Sequence, residues 1–248
     1  MKKIHLCELL SKTEISKDTF DFTVKFPEIA QPGQFVHILC GDRVFLRRPI
    51  SICDDGDGYM RFIFYVKGEG TRLLAEKKVG DVIDILGPLG NGFNTNKCDD
   101  KTAILVGGGI GIFPLVKLAK ALKQNVEVIN GFRTKNAVIL EDEFNQICSK
   151  VYITTDDGSY GTHGFVTDVL ADRIKAGDVS AIYTCGPISM MAAVKKITAE
   201  NNIYCEASME QRMGCGIGAC AVCTCKANGK NVKVCDEGPV FDAKDLDI

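Results

Sequence analysis

Short stretches of alternating polar and apolar residues, separated by turn-forming residues, dominate the first hundred positions of the chain. The clearest is 19–26 (TFDFTVKF), whose period of two is that of a half-buried strand. Turns rich in Pro, Gly and Asp bound further apolar stretches that we interpret as strands: 34–39, 50–52, 60–66 and 82–86. Short strands punctuated by turns predict an antiparallel β-barrel or sandwich, which we assign to residues 1–97.

The pattern changes after residue 101. Residues 103–106 (AILV) form a continuous apolar run, as in a parallel strand that is buried on both faces. Strands and helices then alternate, with helices at 114–123, 140–148, 166–171 and 190–200 and strands at 126–130, 151–155 and 181–185. This alternation predicts a central α/β domain with a parallel sheet over 98–205. Residues 206–248, rich in glycine and cysteine, form a third small unit, so the fold class is multi-domain α+β.

Composition and charge exclude several classes of protein. Of the 248 residues, 46% are hydrophobic and 25% are charged, which is ordinary for a globular protein and excludes wholesale disorder. The net charge of -2 gives no basic surface for nucleic acid. The longest weakly polar stretch, 103–116, contains three consecutive glycines and is too short to span a bilayer. His5 and Glu8 interrupt any secretory signal, so we expect a cytoplasmic protein without membrane contact.

Five of the 12 cysteines lie within 21 residues near the C-terminus. Cys215, Cys220 and Cys223 follow the spacing C-x4-C-x2-C, and Cys235 follows after 11 further residues. This spacing is typical of a plant-type [2Fe-2S] site, which predicts these four residues as metal ligands and Cys225 as a spectator. The interleaved glycines would allow the loop to wrap a small cluster. A structural zinc knuckle is the alternative, although zinc favours pairs of C-x2-C type.

Two glycine-containing turns follow predicted parallel strands. Gly107-Gly-Gly-Ile-Gly111 precedes a helix, where glycines let a pyrophosphate approach the helix N-terminus. It departs from G-x-G-x-x-G because Ile112 occupies the sixth position, and such turns also occur for packing alone. A second turn, 185–187 (CGP), follows the last predicted parallel strand. Ligands of parallel sheets bind at the carboxyl ends of the strands, where both turns lie.

A third candidate site lies in the barrel. Residues 47–51 (RRPIS) offer guanidinium groups that can pair with phosphate, and 68–71 (GEGT) supplies small residues and a hydroxyl that could address a flavin. The alternative interpretation is two surface arginines at a strand end. In the α/β domain, Asp156 and Asp157 would repel a 2′-phosphate if they meet the adenosine ribose, which favours NAD over NADP. A plain Asp-Gly turn is the alternative there.

Together these motifs resemble the ferredoxin–NADP reductase superfamily. Residues 48–51 (RPIS) resemble its R-x-Y-S flavin motif, 107–114 its nucleotide loop, and 185–190 its C-G-P-x-x-M signature. Nearly the whole chain resembles the electron-transfer subunits of NAD-dependent, type B dihydroorotate dehydrogenases. Three strings carry this narrower resemblance: 46–52 (LRRPISI), 213–220 (MGCGIGAC) and 234–241 (VCDEGPVF).

The resemblance implies three cofactors and their binding residues. It implies FAD at Arg48, Pro49, Ile50, Ser51, Tyr65, Gly70 and Thr71. It implies NAD as co-substrate at Gly107, Gly108, Gly109, Gly111, Cys185, Gly186, Pro187 and Met190. It implies a [2Fe-2S] cluster at Cys215, Cys220, Cys223 and Cys235. Ile50 replaces the family's aromatic residue, which leaves Tyr65 as the candidate for stacking on the flavin.

The resemblance also implies a partner and a direction of electron flow. An FMN-containing dihydroorotate dehydrogenase catalytic subunit would supply electrons that pass through the cluster and FAD to NAD+, with two copies of each subunit. The chain lacks G-x-S-x-G and H-E-x-x-H motifs, and we expect His37 and His163 to be structural. Two alternatives stay open: the reductase subunit of a ferredoxin, sulfide-linked or oxygenase system, and a non-catalytic redox sensor or zinc-stabilised interaction module.

Overall fold

The computed structural model describes residues 3–97, 101–123 and 125–248. Six antiparallel strands form a closed barrel: β1 (Ile4–Ser16), β2 (Thr19–Lys25), β3 (Phe35–Leu39), β4 (Arg48–Gly56), β5 (Tyr59–Tyr65) and β6 (Val82–Leu89). Their order around the barrel is β1-β2-β5-β4-β3-β6. A short helix, α1 (Glu69–Ala75), connects β5 to β6 and buries Leu74 in the barrel core. The predicted barrel is therefore confirmed.

The sequence did not predict β1 or α1. In β1 the inward side chains of Cys7 and Leu9 are buried, whereas Leu6 and Leu10 point outward and are exposed. Apolar residues on both faces hide the alternation that identifies a half-buried strand. Helix α1 has seven residues, too few to show a helical period.

A seven-stranded sheet forms the central domain; four of its strands and its helices lie within a few residues of their predicted positions, whereas 162–163, 204–208 and 240–242 are strands that the sequence did not predict. The strands are β7 (Thr102–Gly108), β8 (Val126–Phe132), β9 (Lys150–Thr155), β10 (Thr162–His163), β11 (Val179–Cys185), β12 (Tyr204–Ser208) and β15 (Val240–Asp242). Their order is β10-β9-β8-β7-β11-β12-β15, and only the β12–β15 pairing is antiparallel. The helices are α2 (Phe113–Ala121), α3 (Glu141–Ile147), α4 (Val166–Lys175) and α5 (Ile188–Glu200). None of the helices in the described ranges is long and apolar enough to cross a bilayer.

The C-terminal unit is joined to the central sheet. It contains a hairpin of β13 (Thr224–Ala227) and β14 (Lys230–Lys233), and then adds β15 to the edge of the sheet beside β12. Strand β12 spans the boundary that the sequence suggests between residues 205 and 206. The other suggested boundary, between 97 and 98, adjoins residues 98–100, which lie outside the described residues along with Cys98.

Ion pairs connect the barrel to the α/β domain. Arg61 on β5 donates to Asp21 at 2.7 Å and to Glu143 on α3 at 2.7 Å. Lys120 on α2 pairs with Asp54 at 2.6 Å. Although burial lowers the pKa of Arg61, hydrogen bonds to the two carboxylates raise it above its ordinary value. These contacts hold the two domains in one orientation and fix the cleft between them.

Candidate functional site

The two glycine-containing turns of the α/β domain contact each other. Strands β7 and β11 are neighbours, and Gly107 is the register partner of Cys185. A Cβ on Gly111 would lie 2.4 Å from the carbonyl oxygen of Cys185, and one on Gly108 would lie 2.7 Å from the Sδ of Met190. The backbones approach this closely only because the side chains are missing.

These turns form one wall of a cavity of about 900 Å³ at the carboxyl end of the sheet. The predicted nucleotide-binding residues that line it are Gly108, Gly109, Gly111, Gly186, Pro187 and Met190. Gly107 and Cys185 do not line the cavity, because both lie behind its wall: Cys185 is buried, and Gly107 packs against Ile112 and Asn130. A cavity of this size and position suits a small-molecule ligand.

Residues that the sequence did not single out complete this cavity. They are Arg133, Thr154, Ile188 and Ser189, together with Gly131. Asp156 also lines it, whereas the carboxylate of Asp157 accepts hydrogen bonds from Ser159 N at 3.0 Å and Oγ at 2.6 Å. These hydrogen bonds lower the pKa of Asp157. The two carboxylates therefore differ: Asp156 faces the cavity, and Asp157 stabilises the turn.

A second cavity, of about 840 Å³, lies between the barrel and the α/β domain. All seven predicted flavin-binding residues line it: Arg48, Pro49, Ile50, Ser51, Tyr65, Gly70 and Thr71. A Cβ on Gly70 would lie 2.7 Å from the Nε of Arg48, so the glycine lets the guanidinium pack at the start of α1. The Oγ of Thr71 accepts the N–H of Lys67 at 2.9 Å and that of Gly68 at 3.2 Å. Tyr65 presents a ring that is 43% exposed, as stacking on a ligand requires.

Arg47 lies just before β4 and Arg48 is the first residue of β4, and the two arginines have different contacts. Arg48 borders the cavity and donates from Nη1 to the carbonyl oxygen of Leu46 at 2.5 Å. Arg47 pairs with Asp84 on β6 at 2.9 Å and donates to the carbonyl oxygen of His37 at 3.3 Å. Both arginines are half-buried and line the cavity; Arg47 also crosslinks two barrel strands.

The two cavities adjoin each other and share Lys67, Ile110 and Glu210 as lining residues. Glu210 follows β12 and lines the open cleft; desolvation raises the pKa of its carboxyl, and the nearby Lys67 only partly offsets that rise. Burial, followed by the charge of Glu210, raises the pKa of Cys185 and keeps that thiol protonated. Glu210 was missed from the sequence, although its place just beyond the carboxyl end of a parallel strand could have indicated it.

The four predicted metal ligands come together in the C-terminal unit, surrounded by backbone N–H donors. Ile217 and Ala219 donate to the Sγ of Cys215 at 3.4 and 3.3 Å. Gly218 donates to Cys235 at 3.2 Å, and the N–H of Cys235 donates to Cys223 at 3.4 Å. Gly218 has φ +86°, which a side chain would strain. Cys223 and Cys235 are buried, whereas Cys220 is exposed.

The donors favour negatively charged sulfur, as a metal cluster requires. Although burial raises the pKa of Cys215, the N–H donors of the loop lower it to about 6. Burial and then the neighbouring Cys223 raise the pKa of Cys235 to about 12, which disfavours a thiolate at Cys235. Within the described residues, no three His, Cys, Asp or Glu side chains converge on a single ion position.

His37 lies directly beneath this loop. It is fully buried, and neither ring nitrogen has a hydrogen-bond partner among the described residues. Burial and then Arg47 lower its pKa to about 4, while the nearby backbone of Cys215 raises it slightly without meeting hydrogen-bond geometry. The imidazole is therefore neutral at pH 7.

A flavin-sized cavity on a barrel, a nucleotide cavity on a parallel sheet and a four-cysteine loop define a flavin- and nicotinamide-dependent iron–sulfur oxidoreductase. The family comparisons agree: 6–93 match the oxidoreductase FAD-binding domain, and 105–196 match the oxidoreductase NAD-binding domain. Residues 210–247 match the iron-sulfur cluster binding domain of dihydroorotate dehydrogenase B. The chain belongs to the family of dihydroorotate dehydrogenase B (NAD(+)) electron transfer subunits.

Relatives of similar length support this assignment. The chain is 44% identical over 250 residues to the dihydroorotate dehydrogenase B (NAD(+)) electron transfer subunit of Geobacillus kaustophilus, with 95% of each chain covered. It is 41% identical to that of Fusobacterium nucleatum, with 99% of each covered. Among solved structures, a chain of an NADH-dependent reduced ferredoxin-NADP oxidoreductase, described for flavin-based electron bifurcation, superposes with a TM-score of 0.87. It is 33% identical, and the match covers 98% of this chain and 90% of that one.

Proposed function

We propose that this chain is the electron-transfer subunit of an NAD-dependent dihydroorotate dehydrogenase and carries electrons from a catalytic subunit to NAD+. The observation that carries the proposal is the meeting of the two cavities at Lys67, Ile110 and Glu210, beside a four-cysteine loop packed on the same barrel. When bound, the iron–sulfur cluster supplies one-electron transfer, FAD links one-electron to two-electron chemistry, and NAD+ accepts a hydride. The protein's own part is to hold these groups close together and in the correct order.

In this proposal the barrel binds FAD. Arg48 offers its guanidinium to the pyrophosphate, and Ser51 and the small residues at Gly70 and Thr71 give the flavin close access to the backbone. Tyr65 takes the stacking position that Ile50 does not fill. The support is that all of these residues line one cavity, and that in the described part of the chain Arg48 forms no ion pair whereas its neighbour Arg47 is paired with Asp84.

The α/β domain binds NAD+ in the adjoining cavity. Gly108, Gly109 and Gly111 admit the pyrophosphate to the turn that follows β7, and Pro187 and Met190 lie beside them in the same wall. Gly107 and Cys185 lie behind the cavity wall, where they allow the turn after β7 to pack closely against the turn after β11. Asp156 faces the cavity, so its charge would disfavour a 2′-phosphate and select NAD+ over NADP+.

Cys215, Cys220, Cys223 and Cys235 hold the cluster. We assign this role to the C-terminal unit, the flavin role to 1–97 and the nucleotide role to 98–205. Around the exposed Cys220, the side chains of Ile217 and Val222 are 43% and 57% exposed, which places apolar surface next to the sulfurs. Exposed apolar side chains beside a redox site suit a protein partner. We propose that an FMN-containing catalytic subunit covers this loop, in an assembly with two copies of each subunit.

We also propose a cytoplasmic location. Every cysteine in the described part of the chain is free of a disulfide, including the buried Cys7, Cys40 and Cys53. Free thiols are typical of proteins from reducing compartments.

Co-purification tests the proposed function. The chain is expressed together with the dihydroorotate dehydrogenase catalytic subunit of the same genome, and the complex is analysed for FMN, FAD, iron and mass. We expect all three cofactors, a mass corresponding to two of each subunit, and dihydroorotate-dependent reduction of NAD+ that requires both chains. A complex that lacks iron, or NAD+ reduction by the catalytic subunit alone at the same rate, would overturn the proposal.

A second candidate is the corresponding subunit of a different flavin–iron–sulfur enzyme. The likeness to the NADH-dependent reduced ferredoxin-NADP oxidoreductase favours it, because the match extends over nearly both chains. The partner distinguishes the candidates. Failure to associate with the dihydroorotate dehydrogenase catalytic subunit, combined with NADH-dependent reduction of ferredoxin, would favour the second.

A further inference from the structure

His37 occupies the junction between the barrel and the cluster loop. It lies on β3, where Val36 and Ile38 point into the barrel core and Phe35 packs in the core that contains Cys223 and Cys235. His37 is on the same side of the strand as Phe35 and is the register partner of Pro49 in the proposed flavin site. One residue therefore adjoins both proposed cofactor sites.

The cluster loop is shaped around the imidazole. A Cβ on Gly216 would lie 2.5 Å from the Nδ1 of His37 and 3.0 Å from its Cγ and Cε1. Gly216 also has φ +70°, which side chains rarely adopt. The ring edge that carries Nδ1 thus faces the backbone next to Cys215, and only a glycine leaves room for it.

This imidazole lacks the hydrogen bonds that its burial demands. Neither Nδ1 nor Nε2 has a partner in the described residues, and a buried polar group without a hydrogen bond destabilises the fold. The neighbouring cation cannot supply one: Arg47 is engaged by Asp84 and by the carbonyl oxygen of His37 itself. The polar group that remains beside Nδ1 is the backbone of Cys215.

We propose that His37 is a positioning residue for the cluster loop, whose Nδ1–H donates to the backbone carbonyl of Cys215 when the loop closes on its cluster. The inference rests on the proposed function, because it assumes that Cys215 is a cluster ligand. The hydrogen bond would fix the Cys215–Gly216 segment against β3 and hence against the β3–β4 pair that carries the flavin motif.

The position of this segment affects the electronic environment of the cluster. Ile217 and Ala219 donate to the Sγ of Cys215 at 3.4 and 3.3 Å, and N–H donors to cluster sulfurs raise the reduction potential. Releasing the segment would weaken these contacts and lower the potential. A residue that served only to fill space would not have this effect, because another side chain of similar volume could replace it.

Three substitutions of His37 distinguish a hydrogen-bonding role from a space-filling role. They are made in the purified complex that contains the catalytic subunit, FAD and the cluster. Asn places an amide near the position of Nδ1, Gln places one near Nε2, and Phe fills the volume without a polar atom. We expect His37→Asn to retain the wild-type cluster midpoint potential and electron paramagnetic resonance spectrum. We expect His37→Gln and His37→Phe to shift the potential lower and to broaden the spectrum. If His37→Phe does not fold, the comparison of Asn with Gln decides.

Flavin absorbance serves as the internal reference, and His163→Asn is the control because His163 is exposed and distant from the loop. Wild-type spectra and potentials in all three His37 variants would overturn the proposal, as would an equal shift in all three. Absence of an iron–sulfur signal from the wild-type complex would instead contradict the proposed function.

A double-mutant cycle tests the contact without any cluster. Thermal unfolding of the cofactor-free chain is measured for His37→Ala, Gly216→Ala and the pair. Because the added methyl group clashes with the ring, we expect Gly216→Ala to lower Tm less when residue 37 is already alanine. Strict additivity would show that the two residues do not interact and would overturn the proposal.

Discussion

The carbonyl oxygen of Cys185 lies 2.4 Å from the position that a Cβ on Gly111 would occupy. This contact joins the turn after β7 to the turn after β11, so the shape of the proposed nucleotide site depends on an absent side chain. The oxygen belongs to the backbone and cannot rotate away, which makes the site intolerant of even one methyl group.

Gly111→Ala should therefore displace both turns. We expect a loss of stability of about 1–3 kcal/mol, typical of overpacking, and a roughly tenfold or greater rise in the Kd for NADH. Gly109→Ala is the matched control: Gly109 has φ +54° and no atom within 4 Å of its Cβ position, so it carries backbone strain without a clash. NADH titration and urea unfolding measure both. Equal NADH affinity in the two variants would contradict the argument.

Arg48→Ala should release FAD, because it removes the guanidinium that borders the flavin cavity. Arg47→Ala should instead lower stability and keep FAD, since it breaks the ion pair with Asp84 at 2.9 Å. Flavin content after gel filtration and the unfolding midpoint separate the two effects. Normal flavin content in Arg48→Ala would remove Arg48 from the site.

Cys220→Ser should abolish the visible absorbance of the cluster and leave NADH-dependent flavin reduction measurable. Cys225→Ser should retain the cluster, because the sulfurs that accept loop N–H donors at 3.2–3.4 Å belong to the four proposed ligands. Iron content and absorption spectra test this pair. An intact cluster in Cys220→Ser means that a different ligand set holds it.

Asp156→Ser should increase the use of NADPH relative to NADH. Asp156 lines the cavity, and its replacement leaves Arg133, which also lines the cavity, to attract a 2′-phosphate. The comparison is Asp157→Ser, which should leave the preference unchanged because Asp157 is engaged by Ser159. Steady-state kcat/KM ratios for the two nucleotides provide the measurement. An unchanged ratio in Asp156→Ser would place the ribose elsewhere.

Glu206→Gln should stabilise the protein at pH 7. Burial raises the pKa of Glu206, so its charged form is disfavoured in the folded state above that pKa. The hydroxyl of Tyr204, which now donates to Glu206 at 2.9 Å, can turn and accept from the new amide. The gain should vanish as pH falls below the ordinary glutamate value of 4.5, where the wild-type carboxyl is protonated in both states. Urea unfolding at pH 4 and pH 7 measures the gain, and a gain that is larger at pH 4 than at pH 7 would contradict the prediction.

The sequence predicted the elements whose signals are local. Turn residues and periodicity located five of the six barrel strands, and the Cys215–Cys235 spacing located the four sulfurs that the structure brings together. Both kinds of signal lie within a short stretch of sequence, so they can be identified without knowledge of the fold.

Features that depend on distant contacts could not be predicted. Strand β1 was missed because Leu6 and Leu10 are apolar yet point outward. The place of His37 beneath Gly216 depends on a contact across almost 180 residues. Glu210 reaches the cleft only because β12 is the neighbour of β11 in the sheet. In each case the deciding partner is remote in the chain.

The antiparallel addition of β15 beside β12 has a mechanical consequence. The C-terminal unit that carries the cysteines is hydrogen-bonded to the edge strand of the nucleotide-binding sheet and is not joined to it by a flexible linker. It therefore cannot move between an electron donor and an acceptor as a mobile carrier domain would. Removal of β15 alone would break its hydrogen bonds to β12 and leave β12 as an exposed edge strand, which favours self-association. The fold therefore sets the position of the cysteine loop relative to the nucleotide sheet.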